Sequence, residues 1–187
     1  MSDARAVVIS GPSGVGKSTL IDALLRKPGV RLAVSATTRK PRQGEADGTD
    51  YHFVSPERFE AMRDNGELLE WAQVHGRLYG TPKSELGRND ADVVILDIDV
   101  QGWRNVKALG IDALGVFIAP PSMEELQRRL HARGSETEQS FDTRLQGAAS
   151  ELAAQDEYDH VVINDDVEQA SKELCGIVLR TPQGNGT

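Results

Sequence analysis

The chain has 187 residues, enough to bury one substantial core with room for small inserted lobes but short of a second independent domain. Its 21 Lys and Arg against 29 Asp and Glu leave a net charge of −8, which works against unspecific attraction to nucleic acid or anionic membranes. No apolar run approaches the ~18 residues of a bilayer span and no basic segment followed by a long apolar one opens the chain, so we expect a cytoplasmic protein with no nucleic-acid or membrane partner.

The first element is the short apolar run Ala6 to Ile9, too short for a helix and too uniformly apolar for a half-exposed strand, hence a buried strand. It leads into Gly11-Pro12-Ser13-Gly14-Val15-Gly16-Lys17-Ser18, which spells G-x-x-x-x-G-K-S, and a helical pattern follows from Thr19 to Arg26. That is a phosphate-binding loop in its strand, loop and helix context. Glycines let backbone N–H groups turn inward around phosphate oxygens, and the following helix presents its positive end to the same anion. Lys17 then reaches the β and γ phosphates of a nucleoside triphosphate, and the Ser18 hydroxyl suits Mg²⁺, a hard ion that takes oxygen ligands.

From Ser35 to about Arg88 the rhythm breaks into polar, glycine-containing segments, a Tyr51-His52-Phe53-Val54 run and one helix opening at Ser55-Pro56 and ending near Asn65, a cap followed by proline. This interval reads as an inserted lobe. A second buried strand, Val93 to Leu96, ends in Asp97-Ile98-Asp99, where Asp97 is placed to hold Mg²⁺ through water. A helix over Val100 to Leu109, a strand over Val116 to Ala119 and a helix over Ser122 to Arg133 follow, the last opened by capping-box spacing between Ser122 and Glu125. The charge-rich stretch from Arg128 to Arg144, centred on Gly134-Ser135-Glu136-Thr137-Glu138, has little to bury and is expected to be a mobile lid. A helix over Phe141 to Gln155, a strand over Val161 to Ile163, a helix over Val167 to Leu179 and a polar tail expected to be disordered complete the chain.

Strands alternating with helices imply an α/β fold, a P-loop NTPase-type parallel sheet flanked by helices. One domain is expected, with a core at 4–34, 92–121 and 145–181, the lobe at 35–91, the lid at 122–144 and the tail at 182–187. Cys175 is alone and its apolar neighbours suggest a small buried hydrophobe, while the four histidines show neither i, i+4 pairing nor cysteine companions and so no zinc site.

A phosphate loop alone leaves kinases, GTPase switches and ATPase motors open. Asp99-Val100-Gln101-Gly102 fits the D-x-x-G element of a GTPase switch, but the N-K-x-D or T-K-x-D sequence with which such proteins read guanine is missing. The inserted lobe decides. It carries Ser35-Ala36-Thr37-Thr38-Arg39-Lys40-Pro41-Arg42 and then Gln43 to Val54, which gives T-T-R, a second basic residue three positions on and E-x-x-G-x-x-Y-x-F. Here the chain resembles the guanylate kinase family. The resemblance continues through Glu70-Trp71-Ala72, Tyr79-Gly80-Thr81, Asp97 to Gly102, Ile118 to Ser122, Arg133 to Thr137 and Asn164-Asp165-Asp166, nearly the whole chain.

The resemblance implies ATP-dependent phosphorylation of GMP, and of dGMP, with Mg²⁺ on the donor phosphates and a GMP-binding role for the lobe. By that resemblance Arg39, Arg42, Tyr51 and Tyr79 hold the GMP phosphate, and Ser35, Glu70, Thr81 and Asp99 face the guanine. Two arginines can fork onto a dianionic phosphate, and a Glu70 carboxylate offers acceptors to the N1–H and amine of guanine that adenine cannot match. Residues Gly11, Pro12, Ser13, Gly14, Val15, Gly16, Lys17 and Ser18 would bind ATP, with Lys17, Arg129, Arg133 and Arg144 as catalytic cations. Arg128 is expected to be a solvated neighbour, and Met123, Leu126 and Leu130 the stripe that packs the lid helix. Lobe and lid are expected to close over the substrates.

Two rival readings stand beside this one: a non-catalytic guanylate-kinase-like module, against which the intact phosphate loop and lid arginines speak, and a kinase acting on a ribosyl phosphate, against which Glu70, Tyr79 and Thr81 speak. The stretch from Pro82 to Asp92 is shorter than the family usually carries, and its one strong apolar residue, Leu86, allows a helix of only one or two turns. A monomer or small homo-oligomer is expected.

Overall fold

The computed structural model describes residues 4–74, 76–88, 90–132 and 138–180, the side chains of 74 and 138–144 excepted. In chain order the elements are β1 (Arg5–Ser10), α1 (Lys17–Leu25), β2 (Val30–Leu32), β3 (Ala36–Thr37), β4 (His52–Phe53), α2 (Pro56–Asp64), β5 (Leu68–Val74), β6 (Arg77–Pro82), β7 (Val93–Asp97), α3 (Val100–Ala108), β8 (Ala113–Ala119), α4 (Met123–Ala132), α5 (Glu138–Leu152), β9 (His160–Ile163) and α6 (Val167–Val178). Single 3-10 turns lie at Lys83–Glu85 and Gln155–Glu157. This is the expected α/β architecture of parallel strands flanked by helices. The described residues form two compact units, one within Met1–Ser10 and Pro28–Gly115, the other within Gly11–Lys27 and Val116–Thr187.

In the first unit β2, β7 and β1 run parallel in that order, with Val7 opposite Ile95 and Arg31 opposite Val94. Val7, Val8, Ile9, Val94 and Ile95 are buried, which is why these strands read as unbroken apolar runs. The parallel register puts Ile9 opposite Asp97, so both strands deliver their chain to the same end. Ser10 lies just beyond that pair and its buried hydroxyl donates 2.7 Å to the carbonyl of Ile98.

Residues 35–91 build a second sheet, ordered β4-β3-β6-β5, in which β5 and β6 are antiparallel and Glu70 stands opposite Thr81. Helix α2 seals its inner face through Phe59 and Met62, packed with Ala36 and Leu68. Phe59 is fully buried, so Phe59→Ala would cost about 3–5 kcal/mol. The helix starts as its sequence requires, with the Ser55 hydroxyl accepting 3.2 Å from the Arg58 N–H and Pro56 in the first turn. Strands β2, β3, β5 and β6 are absent from the sequence-based reading. Two of them are only two or three residues long, and Leu68–Val74 mixes apolar and polar positions without a clean period.

The shortened stretch after Pro82 holds one 3-10 turn, Lys83–Glu85, and buries a charge in place of an apolar residue. The Glu85 carboxylate, 3% exposed, takes 2.7 Å from Arg31 and 3.1 Å from the Val34 N–H, while Arg31 also donates to its backbone carbonyl. Arg88 approaches Glu85 at 3.4 Å, and Arg31 also pairs with Asp90 at 2.7 Å. Arg31 and Val34 precede the second sheet and Glu85 follows it, so the carboxylate joins the two chain segments at which that sheet begins and ends.

In the second unit Val116 to Ala119 of β8 pair in parallel with His160 to Ile163 of β9. Helices α1 and α6 pack together, and Asp166 caps α6 by accepting 2.8 Å from the Gln169 N–H. Leu126 and Leu130 of α4 are buried against Ala148 of α5 with Met123 beside them, the stripe expected for the lid helix. The Ser122 hydroxyl accepts 3.2 Å from Glu125 N–H, half of the expected capping box. Arg133, the lid centre at Gly134 to Thr137 and the tail expected to be disordered lie outside the described residues; Arg144 lies on α5, its side chain outside them.

Candidate functional site

The residues assigned to the acceptor all fall in the first unit and form two clusters. In one, the buried Glu70 carboxylate, 9% exposed, accepts 2.7 Å from the Thr81 hydroxyl, and the Ser35 hydroxyl lies 3.3 Å from that of Thr81. The antiparallel register delivers Glu70 and Thr81 to one place, with a register shift between Leu68 and Glu70. Asp99 completes the group from the start of α3, where its Oδ1 accepts 2.8 Å from the Gly102 N–H. A Cβ on Gly102 would stand 3.3 Å from Cγ of Glu70, so glycine keeps α3 close to β5. Burial pushes the Glu70 carboxyl above the usual carboxylate range and the charge of Asp99 adds to that, with the Thr81 hydroxyl and N–H pulling the other way. A carboxylate sheltered from water and held by a hydroxyl, with no described cation on it, suits a neutral N–H-rich ligand.

The second cluster centres on Arg39. Its two terminal nitrogens fork onto Glu45, each at 2.9 Å, and one also donates 2.9 Å to the Lys40 carbonyl. The guanidinium lies 5.3 Å from the Tyr51 ring centroid and 5.7 Å from that of Phe53. Tyr51 and Tyr79 meet edge to face at 6.0 Å. The Glu45 hydrogen bond, and after it Tyr79, raise the Arg39 pKa against the opposing effect of burial; the same Arg39 bond, then the Arg42 N–H, lowers that of Glu45. Burial raises Tyr51, which therefore stays a hydroxyl donor at neutral pH. Arg42 joins this cluster through its backbone, whose N–H donates 2.6 Å to Glu45, while its side chain is exposed.

Glu45 stood in the E-x-x-G motif without a role. Its signal was available: a carboxylate just after two arginines in a polar loop has a cation within reach. The residue that organises Arg39 is thus an acid six positions on.

The phosphate loop lies in the second unit. Gly14 and Gly16 take φ of 87° and 93°, and a Cβ on Gly16 would stand 2.5 Å from Nδ2 of Asn164. Helix α1 opens with no side-chain cap, whereas α2, α3 and α6 carry Ser55, Asp99 and Asp166 in that position. Its opening amides therefore suit an anion. The carbonyl of Val15 accepts 2.8 Å from Asn164 Nδ2 and 3.3 Å from Arg129 Nη1.

Arg129, half turned to the loop, is held by Glu125 at 2.7 Å, and Glu125 also takes Arg128, which is 78% exposed as its expected solvated role requires. The Arg129 bond, then that of Arg128, lowers the Glu125 carboxyl pKa. Ser18 on the first turn of α1 is exposed, and Asp97 is exposed at the end of β7 in the other unit. Each is a hard oxygen donor of the kind Mg²⁺ takes.

A family model described as guanylate kinase matches residues 3–180. A guanylate kinase of Streptomyces kasugaensis is 52% identical over 180 residues, spanning 94% of this chain and 87% of its own length. A guanylate kinase of Synechococcus sp. (strain CC9311) is 48% identical over 92% of this chain and 93% of its own length. The crystal structure of guanylate kinase from Anaplasma phagocytophilum superposes with a TM-score of 0.71 at 34% identity, covering 97% of this chain and 89% of that one. No helix among the described residues is long and apolar enough to cross a membrane.

Proposed function

The chain belongs to the guanylate kinase family and phosphorylates GMP to GDP with ATP, and on that premise we propose which of its residues do the work. Arg39, Arg42, Tyr51 and Tyr79 bind the GMP phosphate; Ser35, Glu70, Thr81 and Asp99 bind the base. Gly11 to Ser18 bind the ATP phosphates, with Lys17, Arg129, Arg133 and Arg144 neutralising charge on the transferring group. The attacking oxygen of the GMP phosphate is already ionised, so transfer in line needs alignment and counter-charge and no protein base.

The observation that carries the acceptor assignment is the buried Glu70 carboxylate aligned by Thr81. Guanine offers it two donors, N1–H and the exocyclic amine. Adenine presents a lone pair at N1 and leaves the carboxylate unmatched, at a cost of about 1–3 kcal/mol. dGMP, which carries the same base and the same phosphate, is proposed as a second acceptor.

Ser18 and Asp97 would hold Mg²⁺, which supplies charge neutralisation between the donor phosphates when bound. Lobe and lid close over the two nucleotides to keep water from the donor phosphate. The protein acts in the cytoplasm as a monomer or small homo-oligomer, in keeping with its lone Cys175 and its acidic charge. ADP release measured with GMP, dGMP, AMP, CMP and UMP tests the reading: turnover is expected with the guanine nucleotides, and equal turnover with AMP would overturn the role of Glu70.

A further inference from the structure

Asn164 directly follows β9, belongs to the Asn164-Asp165-Asp166 segment and has no role in the mechanism above. It is 1% exposed, its N–H donates 2.8 Å to the carbonyl of Ala119, and its side chain reaches the phosphate loop. Nδ2 donates 2.8 Å to the carbonyl of Val15, while Oδ1 has no hydrogen-bond partner among the described residues. Val15 is itself fully buried, and its N–H donates 3.2 Å to the Pro12 carbonyl within the loop.

A trans peptide points its carbonyl and the next N–H in opposite directions, and the described chain has no cis bond. Drawing the Val15 carbonyl toward Asn164 therefore turns the Gly16 N–H to the opposite face of the loop, where it joins the opening amides of the uncapped α1. Gly16 lets the carboxamide come this close, since any Cβ there would meet Nδ2. Arg129 shares the same carbonyl at 3.3 Å, so the peptide between Val15 and Gly16 is gripped from β9 and from α4.

We propose that Asn164 is a positioning residue that fixes the Val15–Gly16 peptide so that Gly16 N–H faces the donor phosphates, whatever base the triphosphate carries. The proposal rests on the reading of Gly11 to Ser18 as the triphosphate site. An asparagine suits the task because it donates without charge. A carboxylate in its place would set negative charge against a carbonyl oxygen, and alanine would leave that carbonyl to Arg129 alone.

The test compares N164A and N164D with the parent enzyme through the KM for ATP, kcat, the inhibition constant of inorganic triphosphate against ATP, and GMP affinity by calorimetry. The KM for ATP and the inhibition constant of triphosphate should rise together, about tenfold in N164A and further in N164D, with GMP affinity within about twofold. An unchanged KM for ATP in both variants overturns the proposal. So does a rise for ATP with none for inorganic triphosphate, which would make Asn164 a contact to the base or sugar, and so does a matching loss of GMP affinity, which would make it a general structural residue. N164A decides if N164D fails to bind GMP. K17A run alongside separates the two levels: if it spares both ATP and triphosphate, the loop reading itself falls, whereas an effect of K17A without one of N164A removes the brace alone.

Discussion

The residues proposed for the acceptor and for the donor would hold their nucleotides by opposite means. The acceptor uses side chains that arrive already engaged: the fork of Arg39 lies on Glu45, stacked on Tyr51, and the Glu70 carboxylate lies under the Thr81 hydroxyl. The proposed donor site is built first on main chain, shaped by glycines at positive φ and by one carbonyl held from two sides, with Lys17 and the arginines adding counter-charge. Side chains that are oriented in advance lose less freedom on binding and can discriminate between bases. Main-chain amides recognise only phosphate, which every nucleotide has. Specificity is therefore expected to be separable from transfer.

The largest effect that tests this separation is Lys17→Ala, expected to lower kcat about 10²–10³-fold while GMP affinity, read by calorimetry, stays within about twofold. A parallel collapse of GMP binding would break the comparison. Next, Glu70→Ala should lower kcat/KM for GMP about a hundredfold and leave the KM for ATP within about twofold in steady-state assays. Equal losses for both nucleotides would remove the base-reading role.

A smaller effect concerns the joint on which the acceptor sheet is hung. Burial alone would push the Glu85 carboxyl up, but the Val34 N–H and Arg31, with the charge of Arg88, hold it below the usual carboxylate range. A carboxyl lowered by folding stabilises the fold above its unfolded value, and that contribution is lost as pH falls through the lowered one. Glu85→Ala should thus cost about 2 kcal/mol in urea unfolding at pH 7 and clearly less at pH 3. A loss of the same size at both would show that packing, and not the ion pair, is what Glu85 supplies.

The smallest effect has the opposite sign. Burial, then Asp99, raises the Glu70 carboxyl in the fold. A carboxyl raised by folding favours the native state fully below its unfolded value, and the benefit is lost as pH rises through the folded one. Ionising Glu70 therefore costs the free enzyme stability as pH rises through that raised value. Glu70→Gln should stabilise the free enzyme by about 1 kcal/mol at pH 7 in thermal unfolding, with the gain shrinking in acid, while GMP turnover falls. No gain would mean that the acceptor pocket carries no such strain. For the same reason GMP affinity should weaken as pH falls through the raised value, since guanine needs the ionised acceptor.

Much of the fold was legible because its signals are local. Val7 to Ile9 and Val94 to Leu96 read as buried strands from composition alone, and Ser55 and Ser122 marked helix starts that the hydrogen bonds reproduce. The strands β2 and β3 were not legible, because a three-residue or two-residue strand exists only through its partners. Leu86 stands out in the shortened stretch as its strong apolar residue, yet Glu85 next to it is the more deeply buried of the two, because Arg31 and the Val34 N–H meet it across 54 and 51 residues.

The sequence by itself determined the phosphate loop, the family and hence the reaction. Eight consecutive residues are enough to shape a main-chain anion site, and the acceptor motifs are short, ordered strings of chemically particular side chains. Only the tertiary structure decided how those side chains are held: Glu45 on Arg39, Thr81 on a buried Glu70, and Asn164 on Val15 across 149 residues. Burial, charge pairing and the turn of a single peptide depend on what packs nearby, and sequence separation does not encode that distance.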